Sequence, residues 1–221
     1  MITTILQNNS SYIQEVIEGK RELKKDIVNL FILNFVTFAI FGFIIGASHS
    51  WLQALVSSIK VPILFNATLL ITLPNLYIFY SLFGSKNSFL QLLTLTLVAT
   101  CVIGFILIGF APISIFFLLS SNSYHFNTLL NILFFAFSSV FGIKLLYQSF
   151  LRLPEIANNT QDIKYKFLLF WLFLYTFVGS QLSWILRPFF GMPNSKFEIF
   201  REMESNFYMQ VIKLVFHLFK R

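Results

Sequence analysis

The residues that could carry chemistry in this chain are few, and they are spaced poorly for it. Its acids are Glu15, Glu18, Glu22 and Asp26 near the amino terminus, then none until Glu155, followed by Asp162, Glu198, Glu202 and Glu204. A paired-carboxylate catalyst, a proton relay or an intramembrane cation site needs acids within the apolar segments. None lies there. His49, His125 and His217 stand singly, without a second ligand at metal spacing, which argues against a metal centre. Cys101 is the only cysteine, so neither an intramolecular disulfide nor a multi-cysteine metal site can form, and it reads as a small packing residue in a helix. No Gly-rich phosphate loop, nucleophile elbow or helical metal-ligand pair occurs, and no serine has a histidine and a carboxylate in a suggestive arrangement. The expectation is a protein that is not an enzyme and takes no cofactor or metal.

What remains is a set of cations and amides. Arg187, in "WILRPFFGMP", follows Gln181, Ser183 and Trp184 at the end of a long apolar run. A long cationic side chain there can snorkel toward headgroups, while Pro188 stops the helix and Gly191 and Pro193 shape the exit. Arg187 therefore reads as a corner anchor, or else as a grip on an anionic lipid headgroup, a partner carboxylate, or Glu202 or Glu204. Lys60 in "SSIKVP" repeats the arrangement, and Arg201 is a third cation for headgroup or partner contact. Asn66, Asn75 and Gln181 fall inside apolar runs, where Pro74-Asn75 either kinks a packing helix or opens a polar spot at membrane depth.

The elements that hold these residues follow from composition and run length. The chain is 57% hydrophobic and 11% charged, against about 45–50% and about 25% for soluble domains. That composition cannot cover a water-facing surface. A spanning helix needs roughly 20 apolar residues, and five stretches qualify, at about 27–48, 61–83, 89–111, 127–148 and 167–186. They are apolar on every side and do not alternate as barrel strands do. The fold class is an all-α polytopic transmembrane bundle of about five spans. Gly46 to Ser50, Gly84 to Ser88 and Ser120 to Ser123 mark breaks, and Arg152 to Lys166 is the longest polar connection.

Two tails flank the bundle of residues 27–187. Residues 1–26 are polar and charged, with no apparent signal peptide, and mix Ile13, Val16, Ile17 and Leu23 with acids and bases. This predicts a solvated amphipathic helix supported by pairs such as Glu18 with Arg21 and Glu22 with Lys25. Residues 188–221 form a Pro/Gly turn and then a segment placing Phe200, Met203, Phe207, Val211, Leu214 and Leu218 at helical spacing. That predicts an amphipathic helix, lying in the interface or packed on a partner.

With the amino terminus cytoplasmic or stromal, five spans put Lys20, Arg21, Lys24, Lys25, Lys86, Lys144, Arg152, Lys164 and Lys166 inside. They leave Lys60 outside, together with Arg187, Lys196, Arg201, Lys213, Lys220 and Arg221 of the carboxyl-terminal tail. A re-entrant hairpin over Phe89 to Ser120, broken at Pro112, would suit the tail better, but 89–111 is the cleanest crossing. The 30 phenylalanines, with abundant Ile, Asn and Lys, hint at an AT-rich coding sequence, as in a plastid or a low-GC bacterium. The membrane expected is a bacterial inner membrane or a plastid membrane. The net charge of +7 sits beside spans and forms no nucleic-acid surface.

"SSIKVPILF", "LPNLYIFYSLFG" and "LRPFFGMPNSKFEIFREMESNFY" together resemble an uncharacterised family of bacterial and cyanobacterial polytopic membrane proteins, similar in layout to five-span Yip-type proteins. The resemblance covers most of the chain from about Gly42 onward. The Asp-Leu-Tyr-Gly-Pro signature of eukaryotic Yip proteins is missing, so the resemblance implies an arrangement of spans and no activity. Two functions fit the residues. One is a non-catalytic accessory or scaffold subunit that contacts the lipid bilayer and other membrane proteins, or a second copy of itself. The other is a small channel or transporter for a neutral or anionic solute, lined by Asn66, Asn75, Asn131, Gln181 and Arg187.

Overall fold

A computed structural model describes residues 9–82, 87–121, 123–153, 161–190, 199–200, 209 and 212. Among them are the helices α1 (Asn9–Ile17), α2 (Leu23–Gly46), α3 (Trp51–Leu82), α4 (Phe89–Ser120), α5 (Tyr124–Leu151) and α6 (Gln161–Leu186), and no strand. The five helices from α2 to α6 are long and apolar enough to cross a membrane. The protein is an all-α, multi-pass integral membrane protein. Arg201 and most of the expected carboxyl-terminal amphipathic helix lie outside the described residues.

Serines set several helix starts. The hydroxyl of Ser50 accepts from the N–H of Gln53, so α3 begins at Trp51, well before the expected span near 61. Ser88 and Gln91 form a reciprocal capping box at α4, and Ser123 accepts from the Phe126 N–H at α5. Each hydroxyl satisfies a donor that the first helical turn leaves open. Pro112 does not break α4, which runs unbroken from Phe89 to Ser120. The re-entrant hairpin is thereby overturned: one helix crosses where two half-helices would turn back.

Pro62 and Pro74 lie inside α3. The carboxamide of Asn66 does not reach the Ser58 carbonyl that Pro62 deprives of its helical donor. It donates instead to the carbonyl of Pro62 itself, at 2.8 Å. Near Pro74, the indole N–H of Trp171 on α6 donates to the Thr72 carbonyl at 2.9 Å, tying α3 to its neighbour.

The helices follow the spatial order α6, α3, α2, α4, α5, with α2 central and α1 resting on α4. Small residues permit the closest approaches. A Cβ on Gly42 would lie 2.5 Å from the Ser57 carbonyl oxygen, and one on Gly46 would lie 2.5 Å from that of Gln53. The pair, four residues apart on α2, therefore admits the α3 backbone. Two apolar clusters fill the bundle. One, at the end bearing α1, is centred on Leu69, Leu73, Leu92, Leu95, Phe150 and Trp171. The other, at the far end, is built on Phe38, Phe41, Val61, Leu107 and Phe134, with Phe65, Phe189 and Phe190 against it.

The amino-terminal tail departs from the solvated helix predicted by its charges. Gly19, at φ 69°, ends α1 in a Schellman turn: Lys20 N–H bonds the Glu15 carbonyl at 3.0 Å and Gly19 N–H that of Val16 at 3.3 Å. The turn folds α1 back, burying Tyr12, Ile13 and Val16. It also replaces the expected pairing of Glu18 with Arg21. Glu18 pairs with Lys20 and accepts from Gln14, while Arg21 reaches Asp26 and Glu15.

Candidate functional site

Among the described residues, the densest long-range polar contact lies at the far end of the bundle. Gln53, Ser57 and Lys60 recur on α3 at spacings of four and three, which places them on one helical face. They meet the chain where it leaves α6. The Gln53 carboxamide donates to the Pro188 carbonyl at 2.8 Å, and the Ser57 hydroxyl donates to the Phe189 carbonyl at 2.7 Å. Lys60 donates to Pro188 at 3.4 Å and also to the Ile199 carbonyl, and its ammonium lies 4.7 Å from the centre of the Phe200 ring.

Lys60 is only 4% exposed. A buried ammonium is costly at membrane depth, and here carbonyl dipoles and an aromatic face supply its negative surroundings. The clasp carries Phe189 and Phe190 into the far-end aromatic cluster.

Arg187 stands beside the clasp. Its guanidinium carbon lies 3.4 Å from the centre of the Trp184 ring, a cation–π contact with the last turn of α6 that holds the cation near the end of the span.

A second polar set crosses the middle of the bundle, between the two apolar clusters. On α2, Asn34 lies between Leu30 of one cluster and Phe38 of the other, and on α3 Asn66 lies between Leu69 and Val61. Asn34 donates to the Thr100 hydroxyl of α4 at 2.8 Å. Most of the belt satisfies itself along its own helices, as when Ser138 donates to Phe134 and Thr100 to Leu97. Gln181 lies two residues beyond Gly179, which faces Thr68, and so stands near the depth of Asn66. Asn75 lies more than two turns farther along α3, toward the end bearing α1. Asn131 is held in packing: it accepts from Ser114 at 2.9 Å and donates to the Asn127 carbonyl at 2.8 Å.

At the opposite end, α1 is pinned by a small charged network. The Tyr12 hydroxyl donates to Asp26 at 3.0 Å, Arg21 also donates to Asp26, and the Arg21 guanidinium covers the Tyr12 ring at 4.4 Å. Burial, and then the Asp26 carboxylate, push the Tyr12 hydroxyl above the ordinary phenol range. The hydrogen bond to Asp26 raises the Arg21 guanidinium further still. The Gln91 carboxamide nitrogen donates to the last carbonyls of α1, those of Val16 and Ile17, while its oxygen accepts from the Ser88 N–H. One side chain thus serves two helix ends.

The structure brings Lys60 and Arg187 to the same turn, through Pro188, and sets Asn66 and Gln181 at similar depth. Sequence reasoning missed Gln53, Ser57 and Asn34. The spacing of Gln53, Ser57 and Lys60 on one helical face was the available signal for the clasp, once the helix is started at Ser50. Comparison with known protein families, curated proteins and solved structures found no match to this chain.

Proposed function

We propose that the protein is a non-catalytic component of a membrane complex, an accessory or scaffold subunit that holds other membrane proteins. The observation that carries this reading is an interior filled with its own rings. Phe38 of α2 stacks on Phe65 of α3 at 4.0 Å, Phe65 faces Phe135 of α5 at 5.8 Å, and Phe110 of α4 stacks on Phe134 at 4.5 Å. Rings from four helices pack on one another at the far end of the bundle, and Phe189 and Phe190 pack against them from the exit turn.

The alternative, a small channel or transporter for a neutral or anionic solute, has less support. The amide nitrogens of Asn66 and Asn131 are held by carbonyls of their own helices, and Lys60 by carbonyls of its own chain. On the scaffold reading, the apolar outer faces of α2 to α6 meet lipid and neighbouring membrane proteins or a second copy. Arg187, beside the Lys60 clasp, marks the end at which an anionic headgroup or a partner carboxylate is contacted, and Arg201 is a further candidate for such a contact. The membrane is a bacterial inner membrane or a plastid membrane, with the amino terminus cytoplasmic or stromal. The Yip-type resemblance adds only a shared layout of spans.

The test has two arms on the full-length protein. Purification in mild detergent is expected to retain a membrane protein at fixed stoichiometry. Reconstitution into liposomes is expected to leave fluxes of small anions and neutral solutes at the level of empty vesicles. Saturable flux above that level would overturn the scaffold reading.

A further inference from the structure

We infer that the polar belt at the middle of the bundle binds ordered water, held by the side-chain oxygens of Asn34, Asn66 and Tyr175. All three atoms are buried without a hydrogen-bond partner among the described residues. Asn34 is 0% exposed and Asn66 6%.

The three lie at similar depth. The register that sets Gly46 on Gln53 and Gly42 on Ser57 carries Asn34 to the turn of α3 that holds Asn66. On the other flank of α3, Trp171 bonds Thr72 and Gly179 faces Thr68, which brings Tyr175 to the neighbouring turn. Each group also sits near the midpoint of its own helix.

The bonds already made fix what can bind. The Asn34 nitrogen is used by Thr100 and the Asn66 nitrogen by the Pro62 carbonyl. Flipping either amide would therefore trade an open oxygen for an open nitrogen. Two acceptors and one hydroxyl call for a small neutral molecule that both donates and accepts. Lipid tails offer no donor at this depth, and no acid lies within the described middle turns to favour a cation. Water meets the requirement and is the usual occupant of buried polar sites of this kind. The two apolar clusters bound the belt toward both ends, with the Tyr175 ring packed against the one at the end bearing α1.

X-ray radiolytic hydroxyl-radical footprinting of the full-length protein in lipid nanodiscs tests the assignment, because radiolysis of buried water generates radicals beside the side chains that hold it. After correction for intrinsic reactivity, Tyr175 is expected to be oxidised severalfold faster than Phe38 and Phe41, which are buried in the apolar far-end cluster. Replacing both amides, Asn34→Leu with Asn66→Leu, is expected to lower Tyr175 labelling toward the level of those rings. Tyr175 protected as fully as Phe38 and Phe41 in the unaltered protein would overturn the inference, and that comparison does not depend on the variant folding. Unchanged labelling in a folded double variant would overturn it as well.

Discussion

The carboxamide of Gln53 and the carbonyl of Pro188 meet at 2.8 Å across 135 residues of sequence, joining the first turn of one span to the exit of the last. Ser57 repeats the contact one turn on, with Phe189. Gln53→Leu removes the donor and leaves a buried carbonyl underserved, at a cost of about 1–2 kcal/mol. Ser57→Ala is expected to cost about 1 kcal/mol. Thermal unfolding in detergent reads both, and the double variant should lose less than the sum because the two bonds hold one turn. Melting indistinguishable from the unaltered protein would mean that the exit turn is held by its phenylalanines alone.

Close helix approach gives a graded series. A Cβ at Gly42 meets a backbone oxygen at 2.5 Å, at Gly142 it meets the Ile103 side chain at 2.4 Å, and at Gly109 it meets nothing within 4 Å. At Gly42 the nearest atom is backbone, which moves only by separating α2 from α3, whereas at Gly142 it is a side chain, with the Ala99 carbonyl oxygen farther off at 3.0 Å. Gly42→Ala should therefore cost about 1–3 kcal/mol, Gly142→Ala less, and Gly109→Ala nothing. Any other ranking of melting temperatures would count against the α2–α3 register.

Much of the fold was legible in the sequence because an apolar run of spanning length is a strong signal that tertiary context rarely reverses. Helix starts were not. Hydropathy reads Gln53, Ser57, Ser58 and Lys60 as loop, whereas the Ser50 cap starts the helix earlier and turns three of them onto one face. Asn34 was illegible for a different reason. Its partner Thr100 lies 66 residues away, and a lone amide in an apolar run carries no periodicity. Gly19 was visible, but its consequence was not: the turn it makes re-pairs Arg21 and changes a solvated tail into a docked helix.

Arg187 supplies a test between charge and shape. Lysine keeps the positive charge near the end of the span but has no plane to lay on Trp184. The cation–π contact at 3.4 Å is worth about 0.5–2 kcal/mol. Arg187→Lys should reach the membrane at the normal level yet melt close to Arg187→Ala. A lysine variant as stable as the unaltered protein would reduce Arg187 to a simple charge anchor.

The docking of α1 should fail in strong alkali, and the sign follows from Tyr12. Its hydroxyl ionises above the ordinary phenol value because burial, and then Asp26, disfavour the phenolate. The docked state therefore prefers the neutral hydroxyl, and this contribution is fully present below about pH 10, the unperturbed phenol value. As pH climbs from there through the raised value, the contribution is lost, and a phenolate would face the carboxylate to which its hydroxyl donates at 3.0 Å. Amide exchange over Asn9–Ile17 should stay slow at neutral pH and accelerate at the alkaline extreme. Tyr12→Phe removes the hydrogen bond, about 1 kcal/mol at neutral pH, but also removes the ionising group. Its exchange should be faster at pH 7 and depend less on alkali, after correction for intrinsic base catalysis. Equal alkaline acceleration in the two proteins would show that another group releases α1.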